Sequence, residues 1–165
     1  ATWFGSGLSP LMSGTAGSLA ALPLGFVIHY YFGGFALLAA SLVMFGIGWW
    51  ASNQYLLHME CKEDPGEIVA DEVAGQWLTL CVLFPTWQSY LVGFLLFRLF
   101  DIFKPWPVSV ADSKVKGGLG VMLDDMVAGL YPVLVYLLIL VEARVFGSGA
   151  VLQPMMNFLG GAYVR

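Results

Sequence analysis

Apolar residues fall in five long runs, which predict helices over Ser18 to Tyr31, Phe35 to Ser52, Ile68 to Phe84, Ser89 to Phe103 and Leu119 to Glu142. The breaks between them have chemical reasons. Gly33-Gly34 turns the first pair, Pro85-Thr86 the second, and Lys104-Pro105-Trp106-Pro107 halts the fourth run because proline cannot continue a helix. Nothing alternates apolar and polar long enough to build a sheet, so the expected fold class is all-α. No run is a clean span of about 20 apolar residues. The strictly apolar parts of the third and fourth, Val73 to Phe84 and Tyr90 to Leu96, fall well short of a hydrocarbon core about 30 Å thick at about 1.5 Å per residue. Their charged ends must therefore dip towards the membrane.

Short apolar helices also suit a buried soluble core, and the placement of charge decides between the two. All eighteen Asp, Glu, Lys and Arg residues follow position 59, and fifteen lie between Glu60 and Asp125. A helix exposed to water needs charge on its outer face, so the bare first 59 residues point to lipid. Composition agrees, with 59% hydrophobic and 11% charged residues against about 45–50% and about 25% in soluble domains. The expectation is one domain over residues 1–165, a polytopic membrane bundle of about five short transmembrane or membrane-embedded helices. Trp49, Trp50, Trp77, Trp87 and Trp106 sit near the helix ends, where an interfacial aromatic belt belongs.

If the helices alternate in direction, residues 5 to 17, 53 to 72 and 98 to 125 share one side. That side holds Lys62, Arg98, Lys104, Lys114 and Lys116, five of the seven basic residues, and the positive-inside rule makes it cytoplasmic. A net charge of −4 offers no basic patch for a nucleic acid. Cys61 and Cys81 are too few for a disulfide framework.

Two acidic clusters stand at the start of apolar helices. In the first, Asp71 and Glu72 precede Val-Ala-Gly75; in the second, Asp124 and Asp125 precede the same pattern, in Asp125-Met-Val-Ala-Gly129. Acidic residues in a first helical turn also serve the helix dipole, by about 0.3–1 kcal/mol. Two matched copies suggest facing halves of one site, with Gly75 and Gly129 letting the helices approach. An unpaired carboxylate near lipid costs a few kcal/mol, and Mg²⁺, a hard cation that takes oxygen ligands, would offset it. Between the clusters, Arg98, Asp101 and Lys104 stand at i,i+3 spacing as a cation, anion, cation ladder. The ladder suits phosphate held by Arg98 and Lys104, with Asp101 serving the metal or the reacting oxygen, though a snorkelling ion-pair row has the same spacing. The leader Gly5 to Ser18 is rich in glycine and hydroxyls, including Ser13 and Thr15, and can cradle an oxyanion, but it lacks the lysine of a P-loop. His29 reads as a core histidine, and His58 lies beside the polar segment. No nucleophile elbow, Cys/His metal spacing or dinucleotide fingerprint occurs, which leaves carboxylate, cation and hydroxyl chemistry. That chemistry fits metal-assisted phosphoryl transfer.

The strings Gly5-Ser-Gly-Leu-Ser-Pro, Ser13-Gly-Thr-Ala-Gly-Ser-Leu-Ala-Ala, Ile68-Val-Ala-Asp-Glu-Val-Ala-Gly, Phe97-Arg-Leu-Phe-Asp-Ile-Phe-Lys-Pro-Trp-Pro and Gly117-Gly-Leu-Gly-Val-Met-Leu-Asp-Asp-Met-Val-Ala-Gly resemble bacterial phosphatidylglycerophosphatase A, in matching order. The resemblance implies a Mg²⁺-dependent phosphatase of the bacterial inner membrane that converts phosphatidylglycerophosphate to phosphatidylglycerol. It carries over motif positions Asp71, Glu72, Arg98, Asp101, Lys104, Asp112, Asp124 and Asp125. On our reading Asp71, Asp101 and Asp125 are catalytic, Asp71, Glu72, Asp124 and Asp125 hold the metal, and Arg98, Lys104, Ser13 and Thr15 bind the substrate phosphate. The partners expected are the phospholipid and the membrane; a homo-oligomer is compatible with the sequence. The other reading weighed is a small cation or substrate transporter using the same carboxylates, with a non-catalytic binding module third.

Overall fold

The computed structural model describes residues 2, 5, 13–59 and 68–145, and among them every regular element is a helix. Five helices answer to the five apolar runs: α1 (Ser13–Phe32), α2 (Gly34–Met59), α3 (Ala70–Leu80), α4 (Trp87–Phe103) and, last in the chain, α6 (Gly117–Val145). The sixth, α5 (Val108–Lys114), was not anticipated. It is seven residues of mixed polarity that begin directly after Pro107, too short to give a periodic signal. Gly33 closes α1 at φ +83°, a left-handed conformation that only glycine adopts freely, so α2 starts at the next residue. Thr86 caps α4 by accepting from the Ser89 backbone N–H at 3.3 Å.

The third helix is the centre of the bundle. Every residue of α3 except Glu72 is buried, and α1, α2, α4 and α6 all pack against it. The seams run through small residues and backbone carbonyls. Ser41 Oγ donates to Ala74 O at 2.7 Å, Thr79 Oγ1 to Gly129 O at 3.2 Å, and Trp77 Nε1 to Ala21 O at 2.9 Å. Trp77 is thus an interior strut, 4% exposed, and not part of an interfacial belt. Gly25 makes its slot: a Cβ there would stand 2.8 Å from the indole nitrogen. Trp49, Trp50, Trp87 and Trp106 are exposed.

Polarity is inverted relative to a water-soluble bundle. Large apolar side chains cover the outside, among them Phe35, Leu42 and Ile47 of α2, Leu91, Leu95 and Leu99 of α4, and Leu134, Leu138 and Val141 of α6. Asp71, Gln76, Asp101, Asp124 and Asp125 are inside. By length and composition, Gly34–His58 and Gly117–Glu142 are able to cross a membrane. The 11 residues of α3 extend only about 17 Å and cannot.

Candidate active site

Four helix termini meet at one end of the bundle: the starts of α1, α3 and α6 and the end of α4. The C-terminal part of α2 joins them, because Asn53 Oδ1 accepts from the Gly118 backbone N–H at 2.9 Å. The opposite end carries the Gly33 turn, where Gly34 lies against Cys81 O and buried His29 meets the Tyr90 hydroxyl at 3.3 Å. This is the sorting of polar segments that alternating helices require.

The α3 and α6 backbones touch directly. A Cβ on Gly129 would lie 2.6 Å from Gly75 O, and one on Gly75 would lie 2.5 Å from Asp125 O. This contact sets Asp71, in the first turn of α3, level with Asp125, two turns into α6. One carboxylate oxygen each from Asp71, Glu72 and Asp125 lies within 4.8 Å of the others. Asp71 Oδ1 also accepts from the Glu72 backbone N–H at 3.0 Å, fixing the first carboxylate. Such a buried group repels itself unless cations or protons balance it. Glu72 Oε2 is buried and finds no hydrogen-bond partner among the described residues. Oxygen-only donors, one of them unengaged, are the set a small hard divalent cation takes.

The cationic groups come from α4. Arg98 Nη1 is 2.5 Å from Asp101 Oδ2, and both side chains are largely buried. The Asp101 carboxylate acts electrostatically on Asp125, joining the α4 pair to the acidic trio. Arg98 and Glu72 both face α1 at Gly14, where a Cβ would stand 2.2 Å from Glu72 Oε1 and 3.2 Å from Arg98 Nη1 and Nη2. Gly14 therefore lets the start of α1 lie on the site, with half-buried Ser13 and Thr15 on either side of it.

Two expected placements differ. Asp124 lies outside the trio and instead pairs with Lys104, Oδ2 to Nζ at 2.8 Å. Consecutive helical residues point about 100° apart, so Asp125 faces α3 while Asp124 turns to the end of α4. The ladder also breaks at its third rung. Helix α4 ends at Phe103, and Lys104 caps it in the left-handed conformation, φ 42° and ψ 56°, which swings its side chain off the Asp101 row and onto Asp124. Asp112 falls on α5. His58 is exposed near the end of α2, its Nδ1 against Gln54 O. Lys62 and residues 6–12 of the glycine-rich leader lie outside the described residues.

A helical bundle with three clustered carboxylates, an arginine and a lysine at one end has the equipment of a phosphoryl-transfer enzyme. The comparisons agree and are more specific. The profile of the phosphatidylglycerophosphatase A family matches residues 1–140, and the chain belongs to that family. It is 44% identical over 136 residues to phosphatidylglycerophosphatase A of Escherichia coli K12, covering 79% of this chain and 75% of that protein. It is 38% identical over 137 residues to phosphatidylglycerophosphatase A of Haemophilus influenzae Rd, covering 82% and 83%. A Bacteroides thetaiotaomicron protein provisionally named a phosphatidylinositol-3-phosphatase is 40% identical over 153 residues, covering 88% of this chain and 92% of its own. No solved structure matches. The transporter alternative finds no support among these relatives.

Proposed function

We propose that this protein hydrolyses the terminal phosphomonoester of phosphatidylglycerophosphate to give phosphatidylglycerol and inorganic phosphate. The observation that carries the reading is the convergence of Asp71, Glu72 and Asp125 within 4.8 Å, with Arg98 and Glu72 meeting across Gly14. Family membership and the names of the Escherichia coli and Haemophilus influenzae relatives supply the substrate. We take the protein to be integral to the bacterial inner membrane, supported by the apolar exterior and by α2 and α6. The site end then faces the cytoplasm, because Arg98, Lys104, Lys114 and Lys116 lie there. A headgroup at the interface reaches such a site while its acyl chains stay in lipid.

Asp71, Glu72 and Asp125 would hold Mg²⁺. When bound, the ion supplies charge neutralisation at the phosphoryl oxygens and orientation of an attacking water. The chain's own groups do the rest. Arg98 offers a planar fork to the phosphate, and Asp101 fixes that fork through its 2.5 Å contact. Ser13 and Thr15 add hydroxyls from the start of α1, where backbone N–H groups have no intrahelical acceptor. Lys104, tied to Asp124, adds positive charge at the rim.

The test is phosphate release from phosphatidylglycerophosphate by the purified protein in detergent, with Mg²⁺ and with a chelator. Strict Mg²⁺ dependence is expected, and Asp125→Asn should abolish turnover while the protein remains folded. Full activity in the chelator, or near-normal turnover by Asp125→Asn, would overturn the assignment.

A further inference from the structure

One polar side chain in the core is left unexplained by the site described above. Gln76 is 0% exposed, and neither its Oε1 nor its Nε2 finds a hydrogen-bond partner among the described residues. Buried amides are normally paired, because an unpaired one bears the full cost of losing water. Gln76 lies one turn along α3 from Glu72, and Leu80 one turn further on. Both flanking residues look towards α4: Glu72 lies with Arg98 against Gly14, and Leu80 lies against Gly93, where a Cβ would stand 2.8 Å from Leu80 Cδ2. Residues at i, i+4 and i+8 share a helix face, so Gln76 belongs to the same seam, between the levels of Arg98 and Gly93. Two more unpartnered buried atoms, Glu72 Oε2 and Arg98 Nε, stand at its near end. The seam is therefore a run of unsatisfied donors and acceptors leading from the acidic trio into the bundle.

We infer that Gln76 is a specificity-determining residue that binds the polar linker behind the scissile phosphate, an inference that rests on the proposed function. One turn advances about 5–6 Å along α3, away from the polar end of the bundle. In phosphatidylglycerophosphate the terminal phosphate is outermost, and the hydroxyl-bearing three-carbon linker follows it on the way to the acyl chains. A hydroxyl both donates and accepts, which matches the carboxamide: Oε1 accepts its proton and Nε2 donates to its oxygen. A phosphomonoester attached directly to diacylglycerol, phosphatidic acid, has no linker and leaves the amide unpaired. A site built to hydrogen-bond a substrate hydroxyl discriminates against an analogue that lacks it.

The experiment compares kcat/KM for phosphatidylglycerophosphate and phosphatidic acid, in mixed micelles of one detergent, for the wild-type chain, Gln76→Met and Gln76→Leu. Melting temperatures of the substrate-free proteins are measured alongside. Both variants are expected to lower the preference for phosphatidylglycerophosphate over phosphatidic acid about ten-fold or more, and to melt at or above the wild-type temperature, since an unpaired buried amide has been removed. A preference ratio unchanged in both variants would overturn the inference and leave an ordered water as the amide's partner. A lower melting temperature in both would do the same, by showing that the amide is satisfied within the fold. A wild-type protein that releases no phosphate from phosphatidylglycerophosphate would instead overturn the proposed function, and this inference with it.

Discussion

Replacing Gly75 by alanine tests whether the α3–α6 contact positions the site. The added Cβ would stand 2.5 Å from Asp125 O and 2.7 Å from Phe97 Cε2, whereas ordinary contact begins at 3.4 Å, so the helices must part by about 0.9 Å. Neither obstacle can swing aside. One is backbone, and the other is a ring on a side chain with 0% exposure. Overpacking of this kind costs about 1–3 kcal/mol in stability. The effect on chemistry is larger, because the same movement separates the Asp71 and Asp125 carboxylates, and a displacement near 1 Å can cost about a hundred-fold in rate. Gly46→Ala is the matched control: it lies in α2 with nothing within 4 Å of its missing Cβ, and alanine there should stabilise the helix by about 0.5–1 kcal/mol. Phosphate release and thermal melting would be measured for both. Gly75→Ala should lose about a hundred-fold in kcat/KM, and Gly46→Ala should match wild type. If Gly75→Ala keeps turnover within about three-fold of wild type, close helix approach does not set the site geometry.

Arg98→Lys keeps the charge but not the two-pronged donor, so kcat/KM should fall at least about ten-fold while Mg²⁺ affinity without substrate, read by calorimetry, stays close to wild type. Lys104→Met removes the cation paired with the buried Asp124 carboxylate and should destabilise the protein by about 1–3 kcal/mol; combining it with Asp124→Asn should recover most of that loss in a denaturant or thermal titration. Trp77→Phe removes the indole hydrogen bond to Ala21 O and should lower stability by about 0.5–1.5 kcal/mol while kcat stays within about two-fold, since the indole lies deep in the bundle.

The apolar runs located α1, α2, α4 and α6 to within a few residues at most ends, because a helix bounded by glycine, proline and a capping threonine has few places to stop. The centre was harder to read. Trp77 near a helix end looks the same in sequence whether it faces an interface or a carbonyl, and only the Gly25 slot and the Ala21 carbonyl on distant α1 decide it. The pairing of the acidic clusters was legible from the repeated Val-Ala-Gly, since glycine at matched positions is what backbone contact requires. The divergence of Asp124 from Asp125 was missed, although adjacent helical residues point apart. The turn of Lys104 onto Asp124 was not, because a lysine in the left-handed region gives no local signal. Gly14 was visible only as one glycine among several, and its role depends on Arg98 arriving from a distant helix. Gln76 carried a faint signal, a lone amide in an apolar run one turn from Glu72.

The burial of α3 on every side has a consequence for how the protein comes into being. In the membrane setting proposed above, its 11 residues are too few to settle across a bilayer unaided, and the acidic residues at its start resist entry into lipid. It must wait for its neighbours. Asp71 and Glu72 are made long before Asp125, and the trio closes only when α6, the last described helix, docks against Gly75. A half-made chain therefore has no working centre. Turnover in this protein doubles as a report on finished assembly, and shortened forms lacking α6 should be inert however well their remaining helices form.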